Sequence, residues 1–187
     1  MKKFISILFF FSTWQFFAQD IAVPIDVQFP IFFKIFSYDK NLTQKVKDHF
    51  DLLIVYQRKF RTSLNIKNSA QSVLEGKSFK YFNSSPVIIK SISIESASEL
   101  DEYLAKNHID CIYIAPLRAI HISEITSITR KRKILSTTGV VEYVEQGVSV
   151  GLAIKSEKPQ ILINLPASKA EGADFSSQLL KLAKIIE

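Results

Sequence analysis

Cysteine is nearly absent: Cys111 stands alone in 187 residues, so no intramolecular disulfide can form. It lies inside "IDCIYIAP", whose apolar pattern predicts an inert core thiol and not a redox or nucleophilic group. Glycine (5) and proline (6) are scarce, which excludes fibrous and low-complexity chains. No Gly-rich phosphate loop, dinucleotide fingerprint or Gly-flanked serine elbow occurs. The histidines, His49, His108 and His121, lack the helical pair spacing of a zinc hydrolase, and one thiol supplies no thiolate cluster. The expectation is therefore no metal, no cofactor and no catalytic residue. His108 and Asp110 read as the solvated entry of a strand.

Long apolar runs are also missing, except at the start. There Lys2 and Lys3 precede "FISILFFFSTWQFFA", which ends at Ala18. A positive start, a short apolar stretch and a small terminal residue describe a secretory signal peptide over residues 1–19. The stretch is shorter than the roughly 20 residues of a spanning helix. Phe16 stands where a small residue is usual before cleavage, so an uncleaved anchor is the alternative. Residues 20–187 then form a single exported, periplasmic domain.

The formal charge is +6; removal of Lys2 and Lys3 leaves 6 − 2 = +4, too mild an excess to imply nucleic-acid binding. "RKRK", 130–133, reads as a solvated turn, with a patch for anionic lipid or an acidic partner as the sharper alternative.

What is present is strand and helix in alternation. Apolar runs at 50–57, 86–94 and 109–116, and a shorter one reaching Thr137, read as strands covered on both faces. Between them lie amphipathic stripes: Ile31, Phe32, Ile35 and Phe36 after Pro30 in a first turn; Phe60, Leu64, Val73 and Leu74 before Gly76; Ala97, Leu100 and Leu104 behind a Ser96/Glu99 capping box; and residues 117–129. The fold class is α/β, a mainly parallel sheet with helices on both faces. A C-terminal β-hairpin follows, "VSVGLAI" and "QILIN" around a five-residue loop at 155–159. Ser149, Gly151 and Ala153 give its first strand a shallow side for close helix approach. A closing helix takes Asp174 as cap and Phe175, Leu179, Leu182, Ala183 and Ile186 as its stripe.

In such sheets ligands sit beyond the carboxyl ends of the strands. Those ends supply Tyr56, Gln57, Ser93, Pro116, Thr137, Thr138 and Gly139, whose hydroxyls and backbone N–H groups suit a small polar molecule. Ser, Thr and Gly are equally ordinary turn residues, so the 137–139 corner is either a ligand site or only a turn. If Gly139 needs positive φ, a β-branched replacement disturbs that turn.

"STTGVVEYVEQGVSVGLAI" and "KPQILINLPASKAEGADFSSQLLKLAKIIE", with "IDCIYIAP" and "VQFPIFFKIFSYDKNL", resemble the YfiR family of exported bacterial proteins over nearly the whole mature chain. The resemblance implies a non-enzymatic periplasmic regulator whose partner is the periplasmic part of a membrane-bound sensor, a diguanylate cyclase. Holding that cyclase inactive lowers cyclic-di-GMP and biofilm formation. It also implies an α/β domain that often dimerises, which makes a homodimer a further expectation. The founding member carries disulfides and is discussed as redox-responsive; with Cys111 alone, that control does not transfer. The competing reading is a small-molecule-binding periplasmic domain resembling one lobe of a solute receptor.

Overall fold

The computed structural model describes residues 21–187, so the signal-peptide reading at 1–19 lies outside the described residues. Strands β1 (Phe50–Tyr56), β2 (Tyr81–Phe82), β3 (Ser85–Ser93), β4 (Cys111–Ile114), β5 (Leu135–Thr138), β6 (Val150–Lys155), β7 (Lys158–Asn164) and β8 (Lys184–Ile186) join in one eight-stranded sheet. Its order is β2-β3-β1-β4-β5-β6-β7-β8. Pairing is parallel from β3 through β1, β4 and β5 to β6, and again between β7 and β8. It is antiparallel only for β2 with β3 and β6 with β7.

The continuous apolar run of β1 has a direct reason: every one of its residues is buried, and alternate side chains enter different cores. Leu52, Ile54 and Tyr56 join the cluster under α1 (Ile25–Ser37) and α3 (Arg61–Leu74). Leu53 and Val55 join the cluster under α4 (Ala97–Lys106) and α5 (Ile122–Arg132). The α/β class with helices on both faces is thus observed. Phe29, Phe32, Phe36, Phe50, Phe82 and Tyr113 fill the first core with edge-on and tilted ring contacts.

Local boundaries depart from the sequence pattern where short-range signals compete. Pro30 lies inside α1, not in its first turn, because the helix already starts at Ile25. Its ring is on the exposed side while Phe29, Phe32 and Phe36 are buried, and that packing holds a helix that an interior proline weakens by roughly 3 kcal/mol. A short helix, α2 (Lys40–Lys45), follows an Asp39 cap and carries no long apolar stripe that the sequence could display. At α4, Glu99 accepts from the N–H of Glu95, not from that of the cap residue Ser96, and Ser96 makes no cap bond to the backbone, so the expected box does not form.

The helix expected over 117–129 begins only at Ile122, since Ala119 takes φ 59° and breaks the helical path. The hairpin is tighter than expected: β6 runs to Lys155 and β7 starts at Lys158, leaving only Ser156 and Glu157, both with positive φ (49° and 65°). After β5 come α6 (Val141–Glu145), and after β7, α7 (Leu165–Ala170). Gly151 lies so close to Val144 of α6 that no Cβ would fit, which realises the close helix approach expected of that face. The closing helix is present but short, α8 (Ser177–Leu182), capped by Ser176 and not by Asp174. Beyond it Lys184–Ile186 is β8, paired with the free edge of β7. Leu182, assigned to the buried stripe, is 68% exposed.

Candidate functional site

The chain passes from β1 to β3 on one side of the sheet, then crosses back to place β4 on the other side of β1. The helix after β1 packs on one face and the helix after β4 on the opposite face. The two connections therefore diverge, leaving a crevice beyond the carboxyl ends of β1 and β4, where doubly wound sheets hold ligands.

That crevice is a cleft of about 220 Å³ lined by Gln57, Lys59, Phe60, Glu95, Arg118 and Ala119. The positive-φ turn at Ala119 ends the stretch that carries Arg118 into it. The Arg118 guanidinium stacks over Phe60 with 4.5 Å between its central carbon and the ring centroid. Its backbone N–H donates to Gln57 Oε1, fastening the β4 loop to the end of β1. Lys59 and Glu95 face one another at 3.8 Å across the rim, a solvated pair with little energetic weight. Below, Tyr143 of α6 accepts from the Leu117 N–H (2.8 Å) and donates to the Leu117 carbonyl (3.1 Å). Burial pushes its hydroxyl up to about 12, so it stays a neutral donor. The cleft offers one guanidinium, an aromatic face and an amide, a set that can orient a small anionic or zwitterionic group. It holds no paired general acid and base.

The residues expected from the strand ends divide between two places. Tyr56, Gln57, Ser93 and Pro116 surround the crevice, and of these Gln57 lines the cleft. Tyr56 is buried beneath Lys67, whose ammonium lies 5.6 Å from the ring centroid. Ser93 accepts from the Arg58 N–H at 2.9 Å, and Ser63 from the Gln57 N–H at 2.9 Å. Thr137, Thr138 and Gly139 lie at the end of β5 under the start of α1. The Thr137 and Thr138 hydroxyls donate to the carbonyls of Ile112 and Ile114, each at 2.9 Å. Above Gly139 sits the fully buried Gln28, which donates to the Val23 carbonyl at 2.6 Å and accepts from the Tyr113 hydroxyl at 3.1 Å. The corner is filled by the protein's own amide.

Sequence reasoning missed Lys59, Phe60, Glu95, Arg118 and Ala119. A helix drawn from residue 117 hides Arg118 and Ala119; the only hint is Pro116, which favours an irregular start. Cys111 is fully buried, and burial pushes its thiol well up, as an inert core residue requires. Buried Glu171 ties three elements together, accepting from Thr129, from Ser149 and from both the N–H (2.8 Å) and the hydroxyl (2.7 Å) of Ser136. Burial raises its carboxyl above the ordinary range against these donors. Those four bonds occupy it, which marks it as a structural group. Residues suited to a metal gather at the opposite, amino ends of β1 and β4, around Asp51 and Asp110.

No curated protein matches the chain. Among solved structures it is similar to a conserved domain protein from Vibrio cholerae O1 biovar El Tor (TM-score 0.62, 12% identity, 88% of this chain and 60% of that one). It is also similar to an ABC domain in complex with L-Trp from Streptococcus pneumoniae (0.58, 14%, 88% and 62%). A third is a substrate binding protein with adhesive properties from Clostridium difficile, in a ligand-free, open form (0.51, 14%, 78% and 57%). At these identities the likeness shows the fold alone, and the chain spans about 60% of the length of each. No described helix is long and apolar enough to cross a membrane. A family model described as YfiR/HmsC-like matches residues 27–184, and the chain belongs to that family.

Proposed function

We propose that this protein is an exported periplasmic regulator that works by binding the periplasmic part of a membrane signalling protein, a diguanylate cyclase, and restraining its output. The observation that carries this reading is the family match over residues 27–184. The signal-like residues 1–19 support export, with residues 20–187 as the working domain, alone or as a homodimer. The mode of action is contact and not turnover. Cross-linking in intact cells followed by capture from envelope extracts tests it. Recovery of a membrane sensor with a cyclase output is expected; repeated capture without any membrane signalling protein contradicts the reading.

A second reading rests on the β1/β4 crevice. There the domain binds a small zwitterion such as an amino acid, whose carboxylate meets Arg118 and whose apolar part lies near Phe60. The shared fold with a domain solved in complex with L-Trp and with a substrate binding protein is consistent with it. A ligand at a hundred times its Kd stabilises by about 2.7 kcal/mol, readily seen as a raised Tm. An amino-acid screen is expected to give such a shift in the wild type and none in Arg118→Ala. A flat screen, or a shift that survives Arg118→Ala, removes this reading.

A further inference from the structure

At the amino ends of β1 and β4 the fold brings together two His–Asp pairs, 49/51 and 108/110, that lie 59 positions apart in the chain. The parallel register sets Leu52 opposite Cys111, so Asp51 and Asp110 become neighbours at the strand entry. Two backbone-anchored bonds lock them: Asp110 N–H donates to the Asp51 carbonyl and Asp51 N–H to Asp110 Oδ2, each at 3.0 Å. Both carboxyl side chains are wholly shielded from solvent. Two imidazoles cover them on the solvent side. His49 Nε2 lies 2.8 Å from Asp51 Oδ2, and His108 Nε2 lies 3.1 Å from Asp110 Oδ1.

The Asp51 carboxylate has no hydrogen bond of proper geometry on either oxygen, although it is fully buried. The Lys90 ammonium comes within 2.7 Å of Oδ1 and His49 within 2.8 Å of Oδ2, close enough to attract but out of line to donate. A buried carboxylate is ordinarily saturated by donors; this one meets the Lys90 ammonium on one oxygen and the His49 imidazole on the other. Donor atoms of Asp51, His108 and Asp110 all lie within 4.8 Å of one another. The His49–Asp51 and His108–Asp110 separations of 2.8 and 3.1 Å are those of direct imidazole–carboxylate contacts, and a tetrahedral ion with bonds of about 2.1 Å opens such edges to roughly 3.4 Å.

We propose that Asp51, Asp110 and His108, with His49 closing in from beside Asp51 as the fourth ligand, form a binding site for a divalent transition cation of the zinc type. Two imidazole nitrogens with two carboxylate oxygens suit such an ion, whereas calcium and magnesium favour an all-oxygen shell. The Asp51 N–H bond to Asp110 fixes the angle of that ligand as an outer-shell partner does. The imidazoles are 42% and 60% exposed, which gives an entry path. Lys90, with its own route to solvent, supplies positive charge beside Asp51 and swings away when the cation binds. Lys45, 3.8 Å from Asp110, lies on a flank of the site.

The test is calorimetric titration of the chelator-treated protein with zinc chloride alone, repeated with cobalt(II) to read its visible spectrum. One ion per chain is expected, with cobalt bands typical of mixed nitrogen and oxygen ligands. His49→Ala and His108→Ala, both at exposed positions that leave the core intact, are each expected to weaken binding by about tenfold or more. Lys90→Met, which removes the competing ammonium, is expected to tighten it. Absence of stoichiometric zinc binding overturns the proposal. So does binding that persists unchanged in the double His49→Ala, His108→Ala variant, or that is lost instead in His121→Ala, which lies beyond the carboxyl end of β4.

Discussion

Gly139 is required for space and not for its backbone angle. It is not among the glycines with positive φ, which are Gly147 and Gly172. A Cβ there would stand 2.6 Å from Gln28 Nε2 and 2.7 Å from Oε1. Gln28 cannot yield freely, because its amide is buried and bonded to Val23 and Tyr113. Overpacking of this kind costs about 1–3 kcal/mol, so Gly139→Ala is expected to lower unfolding stability by that amount. Gln28→Ala also destabilises, by removing the bonds to the Tyr113 hydroxyl and the Val23 carbonyl, yet it vacates the space that the new methyl needs. The double variant is therefore expected to fall short of the summed losses by about 1 kcal/mol or more in denaturant unfolding. Simple additivity would show that the amide and the glycine are not in contact.

At the scale of elements, the β6–β7 hairpin shows how tertiary pairing overrides local composition. "KSEKP" contains no Asn-Gly or Asp-Gly, yet Ser156 and Glu157 both adopt positive φ so that Lys155 pairs with Lys158. Strand pairing holds residues that dislike this region of backbone space. Replacing Ser156 with Asn and Glu157 with Gly relieves that conflict at an exposed turn. The pair is expected to raise stability by about 1 kcal/mol, measured by thermal or urea unfolding. A loss would mean that the turn does not have this geometry. The C-terminus follows the same logic in reverse. Ala183 and Ile186 fit a helical stripe on paper, but the open edge of β7 offers Lys184–Ile186 backbone partners that a helix extension cannot.

For the whole molecule, the sheet was the most legible feature. The run at 50–57 differs by one residue from Phe50–Tyr56, because a strand buried on both faces must be continuously apolar. Periodicity also displays α3 and α4, whose buried stripes include Leu74, Leu100 and Leu104. The sites were less legible because they depend on register and on crossing order. Asp51 and Asp110 touch across 59 positions of chain only through the β1–β4 pairing. Arg118 reaches the crevice only because Ala119 breaks a helix that the apolar pattern would start earlier. Of the strand-end residues, the hydroxyls of Ser93, Thr137 and Thr138 stand in internal bonds, a use that spacing alone does not display.

The central proposal is that this YfiR/HmsC-like domain acts by holding a membrane signalling protein. Its most direct measurement is titration of the mature chain against the purified periplasmic part of the cyclase recovered by cross-linking. A saturable complex with Kd in the micromolar range or tighter, about −8 kcal/mol or stronger, accompanied by reduced cyclic-di-GMP synthesis, is predicted. Absence of binding, or binding that leaves cyclase output unchanged, would contradict the account.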